Sequence, residues 1–268
     1  MPELPDVAVF QGNFEATSLD QTIESIRAIE PEILESTSPG GLGRIMGSRS
    51  FVGSHRHGKH LFARMDDDRF IRFHFGMTGF LQYFKDEADQ PEHTVFRVDF
   101  ENGYHLGLVM PRKLGAVEPV DDVDEYVERA DLGPDVYRTS FGFRDFKAVL
   151  EGRRGMIKST LMNQSVVAGL GNVYTDEILF QAQLHPKTPI PELRERTLGH
   201  IFHIMRRVIR IAIQRLAQPS DFPDHWLIPR REPGATCPRC GGEVERINVS
   251  GRNGYFCPSC QSKPGVGL

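Results

Sequence analysis

The sequence predicts an α+β protein: an N-terminal β-sandwich with a flanking helix, then a helical domain, then a small cysteine module. Three observations carry this. Strand-length apolar stretches separated by polar turns recur up to about Val109. From Phe143 to Ala217 the apolar residues change to a spacing of three and four. All four cysteines fall after residue 236, as two Cys-x2-Cys pairs.

Val7, Phe10 and Phe14 stand at helical spacing and predict a short helix over residues 5–18. A β-rich stretch starts at residues 21–29. His60–Met65 and Phe70–Phe75 flank Asp66-Asp67-Asp68-Arg69, and Thr94–Phe100 and Tyr104–Val109 flank Glu101-Asn102-Gly103. Both patterns read as antiparallel hairpins, and strands of this kind suggest a sandwich. The acidic stretch Glu118–Asp135, ending Leu132-Gly133-Pro134-Asp135, reads as a linker. Helices are then expected over Phe143–Glu151, Met156–Gln164, Val173–Ala182 and about Pro191–Ala217. The domain plan is therefore 1–117, a linker over 118–135, a helical domain over 136–228, and a cysteine module over 229–268.

Composition narrows the class. The chain has 268 residues, enough for two domains, and is 39% hydrophobic. No apolar run approaches the roughly 18–20 residues of a membrane span, and no leader pattern precedes the first helix. A cytoplasmic monomer without membrane contact is the expectation. The net charge of -4 argues against a nucleic-acid partner, but its distribution reverses that. Residues 1–135 hold 13 Lys/Arg against 25 Asp/Glu, whereas residues 136–268 hold 19 against 11. The basic half is the one suited to phosphates.

Cys237, Cys240, Cys257 and Cys260 place 16 residues between the pairs, the spacing of a four-cysteine zinc ribbon. Four thiolates leave no open coordination position, so one structural Zn²⁺ is expected and no organic cofactor. Arg252 lies at the tip of the hairpin expected between the pairs. Gln164 through Asn172 links two helices through Gly169 and Gly171, with Asn172 suited to cap the second. Pro2 offers different chemistry. Once Met1 is removed it presents a secondary amine that can form an iminium with a sugar aldehyde, and the acid Glu3 follows it directly.

In this order the pieces resemble the formamidopyrimidine-DNA glycosylase/endonuclease VIII family. The resemblance runs from Pro2-Glu3-Leu4-Pro5, through Asn163-Gln164 and Val167-Ala168-Gly169-Leu170-Gly171-Asn172-Val173-Tyr174 to His185-Pro186, and on to Cys257-Pro258-Ser259-Cys260-Gln261. It implies a helix-two-turn-helix domain before the zinc ribbon. It also implies a bifunctional glycosylase and AP lyase acting on oxidised bases in damaged duplex DNA. By the same resemblance Pro2 is the nucleophile, Glu3 the proton shuttle and Lys59 the essential lysine of the β-domain. Asn172 and Arg252 grip phosphates, Lys158 is a further basic DNA contact, and His93 joins the DNA-facing set. Met77 fills the gap left by the extruded base and Arg112 faces the orphaned partner.

Three departures bear on the lesion. Met110-Pro111-Arg112-Lys113-Leu114-Gly115 has Leu114 where the family carries an aromatic wedge. Asp6 replaces a glutamate, and Gln218–Thr236 is short for a lesion-covering loop. Leu4 sides with the formamidopyrimidine branch. An enzyme for oxidised pyrimidines and a non-catalytic damaged-DNA binder are the alternatives on the same scaffold.

Overall fold

The computed structural model describes residues 1–261; the last seven residues of the expected cysteine module lie outside the described residues. It divides into two compact units, Met1–Ala130 and Asp131 onward.

The first unit opens with helix α1 (Leu4–Ser18). Two four-stranded antiparallel sheets follow among the described residues. One pairs β1 (Ile23–Ala28), β6 (Thr94–Phe100), β7 (His105–Val109) and β5 (Phe80–Phe84) in that order; the other pairs β2 (Phe51–His57), β3 (His60–Met65), β4 (Phe70–His74) and β8 (Ala116–Val120). The expected sandwich and both hairpins are present. Their inner faces meet in one apolar core, with Phe51 against Phe100 and Phe73 against Phe96 across the sheets. Helix α1 is held to this core by Val7 and Phe14, by edge-to-face packing of Phe10 on Phe75 and Phe14 on Phe51, and by Gln11, which donates to Ser54 on β2 at 2.9 Å. Helix α2 (Pro39–Met46), capped by Ser38, covers β1.

The linker reading of 118–135 needs correction. Glu118 to Val120 belong to edge strand β8, where Pro119 is tolerated, and helix α3 (Val123–Arg129) follows within the same unit. Glu118 is buried and acts as a junction. It accepts from Arg72 on β4 (3.0 Å), Arg129 on α3 (2.9 Å) and Ser36 (2.9 Å), while Arg72 also pairs with Glu35 and lies 4.9 Å over the Tyr126 ring. Glu118 is the paired acid of this stretch, while Asp121, Asp122, Asp124, Glu125, Glu128 and Asp131 are exposed.

The second unit holds α4 (Phe143–Leu150), α5 (Ile157–Met162), α6 (Asn172–Gln181) and the long α7 (Glu195–Gln214), followed by the hairpin β9 (Glu245–Val249) and β10 (Arg252–Phe256). On α7 the apolar stripe of Leu198, Ile201, Phe202, Met205, Ile209 and Ala212 is buried. The hairpin turns through Ser250 (φ 48°) and Gly251 (φ 78°), the left-handed pair that a tight antiparallel turn requires. No helix among the described residues is long and apolar enough to cross a membrane.

Removing one partner of a buried ion pair strands the other. Arg72→Met is therefore expected to lower the unfolding free energy by about 3–5 kcal/mol in urea titration.

Candidate functional site

Within the first unit, Glu3 is 2% exposed and stands at the start of α1, with Pro2 half-buried beside it. The Glu3 backbone N–H donates to Asp6 Oδ2 at 2.8 Å, which fixes the chain direction at the terminus. Burial pushes the Asp6 carboxyl up to about 6, although that hydrogen bond opposes the rise.

Lys59 sits in the two-residue turn between β2 and β3, where Gly58 supplies the positive φ of 56°. Two half-buried imidazoles adjoin it: His60 and His74 face each other across β3 and β4, stacked at 4.9 Å. His74 falls to about 4 because of burial, then Arg72 and Lys59; His60 is lowered by burial and by His74. Both rings are thus neutral near pH 7. Arg56 donates to the Gly58 carbonyl at 2.9 Å beside Lys59, whereas the charge of Arg72 is met by Glu35 and Glu118.

A second cluster joins the apolar and cationic loop residues. Gly76, with φ 55°, brings the Met77 turn against the Leu114–Gly115 backbone so closely that a Cβ at Gly76 would lie 2.5 Å from the Leu114 carbonyl carbon. A Cβ at Gly115 would lie 2.1 Å from the His74 carbonyl oxygen. His93 enters through its own carbonyl, which accepts from Met110 N–H at 2.9 Å at the base of the loop. Arg112 is exposed, Met77 is half-buried, and Leu114 is 55% exposed. Met77 and Leu114 therefore lie on two adjoining turns, with Arg112 two residues before Leu114.

Within the second unit, Gln164 stitches the glycine turn. Its amide donates to the Met162 and Leu170 carbonyls (2.9 and 2.8 Å) and accepts from Gly169 N–H (3.1 Å). Gly171, not Asn172, is the N-cap of α6. As the first helical residue, Asn172 points its amide outward, donating to the Asn253 carbonyl on β10 at 2.8 Å. Arg252 is exposed on the same strand. Lys158 departs from expectation. It is 0% exposed and its ammonium pairs with the equally buried Asp176, so it cannot reach a phosphate directly in this conformation. A buried ammonium needs a counter-charge more than it needs solvent.

The four thiols lie within 4.8 Å of one another, with Cys237 to Cys260 at 3.8 Å and Cys240 to Cys257 at 3.5 Å. Tetrahedral Zn²⁺ with bonds of about 2.3 Å sets sulfurs about 3.8 Å apart. The donor set fits one structural zinc. The module is held to α6 by Phe180, packed with Cys237 and Cys257, and to the segment after that helix by Gln261, which donates to the Leu184 carbonyl at 3.0 Å.

Family models for the formamidopyrimidine-DNA glycosylase N-terminal domain and H2TH domain match residues 1–117 and 132–223. A zinc finger found in FPG and IleRS matches residues 234–263. The chain belongs to the formamidopyrimidine-DNA glycosylase family. Relatives of that name from Protochlamydia amoebophila and Desulforamulus reducens are 30% and 31% identical, covering 98% and 97% of this chain and 100% and 99% of their own lengths. A solved structure of the Lactococcus lactis formamidopyrimidine-DNA glycosylase, non-covalently bound to DNA containing an AP site, matches with a TM-score of 0.88 at 28% identity. That match covers 97% of this chain and 100% of the other. A complex of the same enzyme with N7-benzyl-Fapy-dG DNA has a TM-score of 0.88 at 29% identity, over 98% and 100%.

The sequence reading missed Asp176, Arg231 and the paired imidazoles. Asp176 and Glu177 sit in an apolar helix and resemble surface acids, yet both are fully buried. Glu177 accepts from Gln181 (2.7 Å) and from Ile228 N–H (2.9 Å).

Cys237→Ser is expected to reduce zinc from one ion per chain to none, measured by metal analysis, with loss of the β9–β10 hairpin signals in NMR. Burial pushes Glu177 up to about 7, so the folded chain holds a proton there that the unfolded chain releases near the ordinary 4.5. Its contribution to stability is therefore lost as pH rises from about 4.5 to 7. The stability of wild type relative to Glu177→Gln should fall across that window in urea titrations; a pH-independent difference contradicts the assignment.

Proposed function

We propose that this chain is a bifunctional DNA glycosylase and AP lyase of base excision repair, removing oxidised bases from duplex DNA. The observation that carries the reading is the end-to-end agreement with a DNA-bound relative, at a TM-score of 0.88 over 97% of this chain. Formamidopyrimidine and 8-oxoguanine lesions are the proposed substrates, and the bacterial relatives suggest a cytoplasmic, nucleoid-associated enzyme. The proposed domains follow the matches: a catalytic β-sandwich, a helix-two-turn-helix domain and a zinc finger.

The chemistry rests on the mature amine of Pro2. With Met1 removed, its lone pair attacks C1′ of the damaged nucleoside and the bond to the base breaks. The sugar ring opens to an iminium, with Glu3 supplying and withdrawing protons. Loss of a C2′ proton expels the 3′ phosphate, and a second elimination expels the 5′ phosphate; water then releases the sugar remnant and restores the amine. Burial of Glu3 beside Pro2 suits this task, because a carboxyl shielded from bulk water exchanges its proton with the bound sugar. Lys59 offers its ammonium to a phosphate beside His60 and His74, whose lowered pKa keeps them neutral. Met77 and Leu114 supply the apolar projection that fills the space of an extruded base, with Arg112 towards the orphaned base and His93 bracing that loop. Asn172 and Arg252 address the flanking phosphates.

Borohydride reduction in the presence of abasic-site DNA should trap a covalent adduct whose peptide map ends at Pro2. Glu3→Gln should lose base excision by about 10²–10⁴-fold. Intact mass showing retained Met1 in active protein, or an adduct on a lysine, overturns the assignment of Pro2.

A further inference from the structure

The zinc hairpin meets the helical domain over one buried carboxylate. Asp176 Oδ1 accepts the Lys158 ammonium from α5. Oδ2 accepts Arg231 Nη2 at 2.8 Å and Nε at 3.2 Å, and also the backbone N–H of Tyr255 on β10 at 3.0 Å. One side chain thereby ties α5, α6, the connector before the cysteines, and the hairpin strand. Arg231 closes the arrangement by lying 5.1 Å over the Tyr255 ring.

The fit beneath β10 is close. A Cβ on Gly254 would lie 1.9 Å from Lys158 Nζ and 2.8 Å from Asp176 Oδ1, so only glycine lets the strand descend onto the charge pair. One residue earlier, the Asn253 carbonyl accepts from Asn172, and one residue before that stands Arg252. The depth and register of Arg252 relative to Asn172 are thus set by contacts at Gly254 and Tyr255.

We propose that Asp176 is a positioning residue for DNA binding: it seats the zinc hairpin so that Arg252 and Asn172 grip the same stretch of backbone. This rests on the reading of those two residues as phosphate contacts. Asp176 itself is fully buried and touches no DNA in this scheme. Its effect passes through Arg252, with Lys158 and Arg231 as the cations that hold the carboxylate in place.

The test is a double-mutant cycle on the full, zinc-loaded chain. Asp176→Asn, Arg252→Ala and the double variant are titrated with a duplex carrying a tetrahydrofuran abasic analogue over a range of salt. Asp176→Asn should weaken binding about tenfold and reduce the salt slope by about one, as loss of a phosphate contact does. In the Arg252→Ala background the same substitution should change affinity by less than about twofold, because coupled sites are not additive. Single-turnover strand cleavage at saturating protein should stay within about twofold, separating misplacement of the clamp from damage to the chemistry. Gly254→Ala, which lifts the strand while leaving every charge, should weaken binding alike with one zinc per chain retained; it provides the test if Asp176→Asn does not fold.

Additive effects, or a lowered melting temperature with unchanged affinity, overturn the proposal. If Arg252→Ala alone binds like wild type, the phosphate-clamp reading itself fails. If it weakens binding and Asp176→Asn acts independently, only the positioning role fails.

Discussion

A carboxylate taken out of water must meet donors and cations, and each unit of this chain is pinned by one that does. In the first unit Glu118 gathers Arg72, Arg129 and Ser36, joining the edge strand, a central strand and helix α3. In the second, Asp176 gathers Lys158, Arg231 and a strand N–H, joining two helices to the cysteine hairpin. Hydrophobic burial makes both units compact, but it is not directional. These carboxylates accept only at fixed distances and angles, so they set where the attached loops point.

That distinction matters because the candidate functional groups lie at the edges of the cores. Lys59 is in a hairpin turn, Leu114 in a loop against another turn, and Arg252 beside a hairpin tip. Such positions gain precision from what underlies them. Gly76 and Gly115 permit backbone approaches that would exclude a Cβ, and Gly254 does the same over Lys158. The Glu3 end of α1 is steadied by aromatic packing of that helix on the sandwich.

The charge asymmetry acquires a physical reading through these pairings. Many acids of the first half are engaged: Asp99 with Arg27, Arg97 and His105, Glu87 with Arg97, and Glu118 as above. Each such pair cancels an acid against a base, so the acidic excess of this half is carried by the acids outside them. Lowered pKa values keep His60 and His74 out of the positive charge near Lys59, which Lys59 shares with Arg56.

The sequence by itself determined much of this. Strand-length runs flanking Asp66–Arg69 and Glu101-Asn102-Gly103 predict the two hairpins, three-four spacing predicts α7, and two Cys-x2-Cys pairs predict the metal, because each signal is local in the chain. The family, and with it the chemistry sought at Pro2, was legible from motifs in order. Strand β2, with its bulge near Gly53 and its polar residues His55, Arg56 and His57, carries no clean alternation and escaped notice. Only the tertiary structure decided that Glu118 is a strand residue, that Lys158 faces Asp176, and that Asn172 reaches across to Asn253 instead of capping its own helix. A charged side chain reads the same in sequence whether it meets water or a counter-charge. Lys158 and Asp176 lie 18 residues apart and Asn172 and Asn253 lie 81 apart, and the fold alone brings each pair within hydrogen-bonding distance.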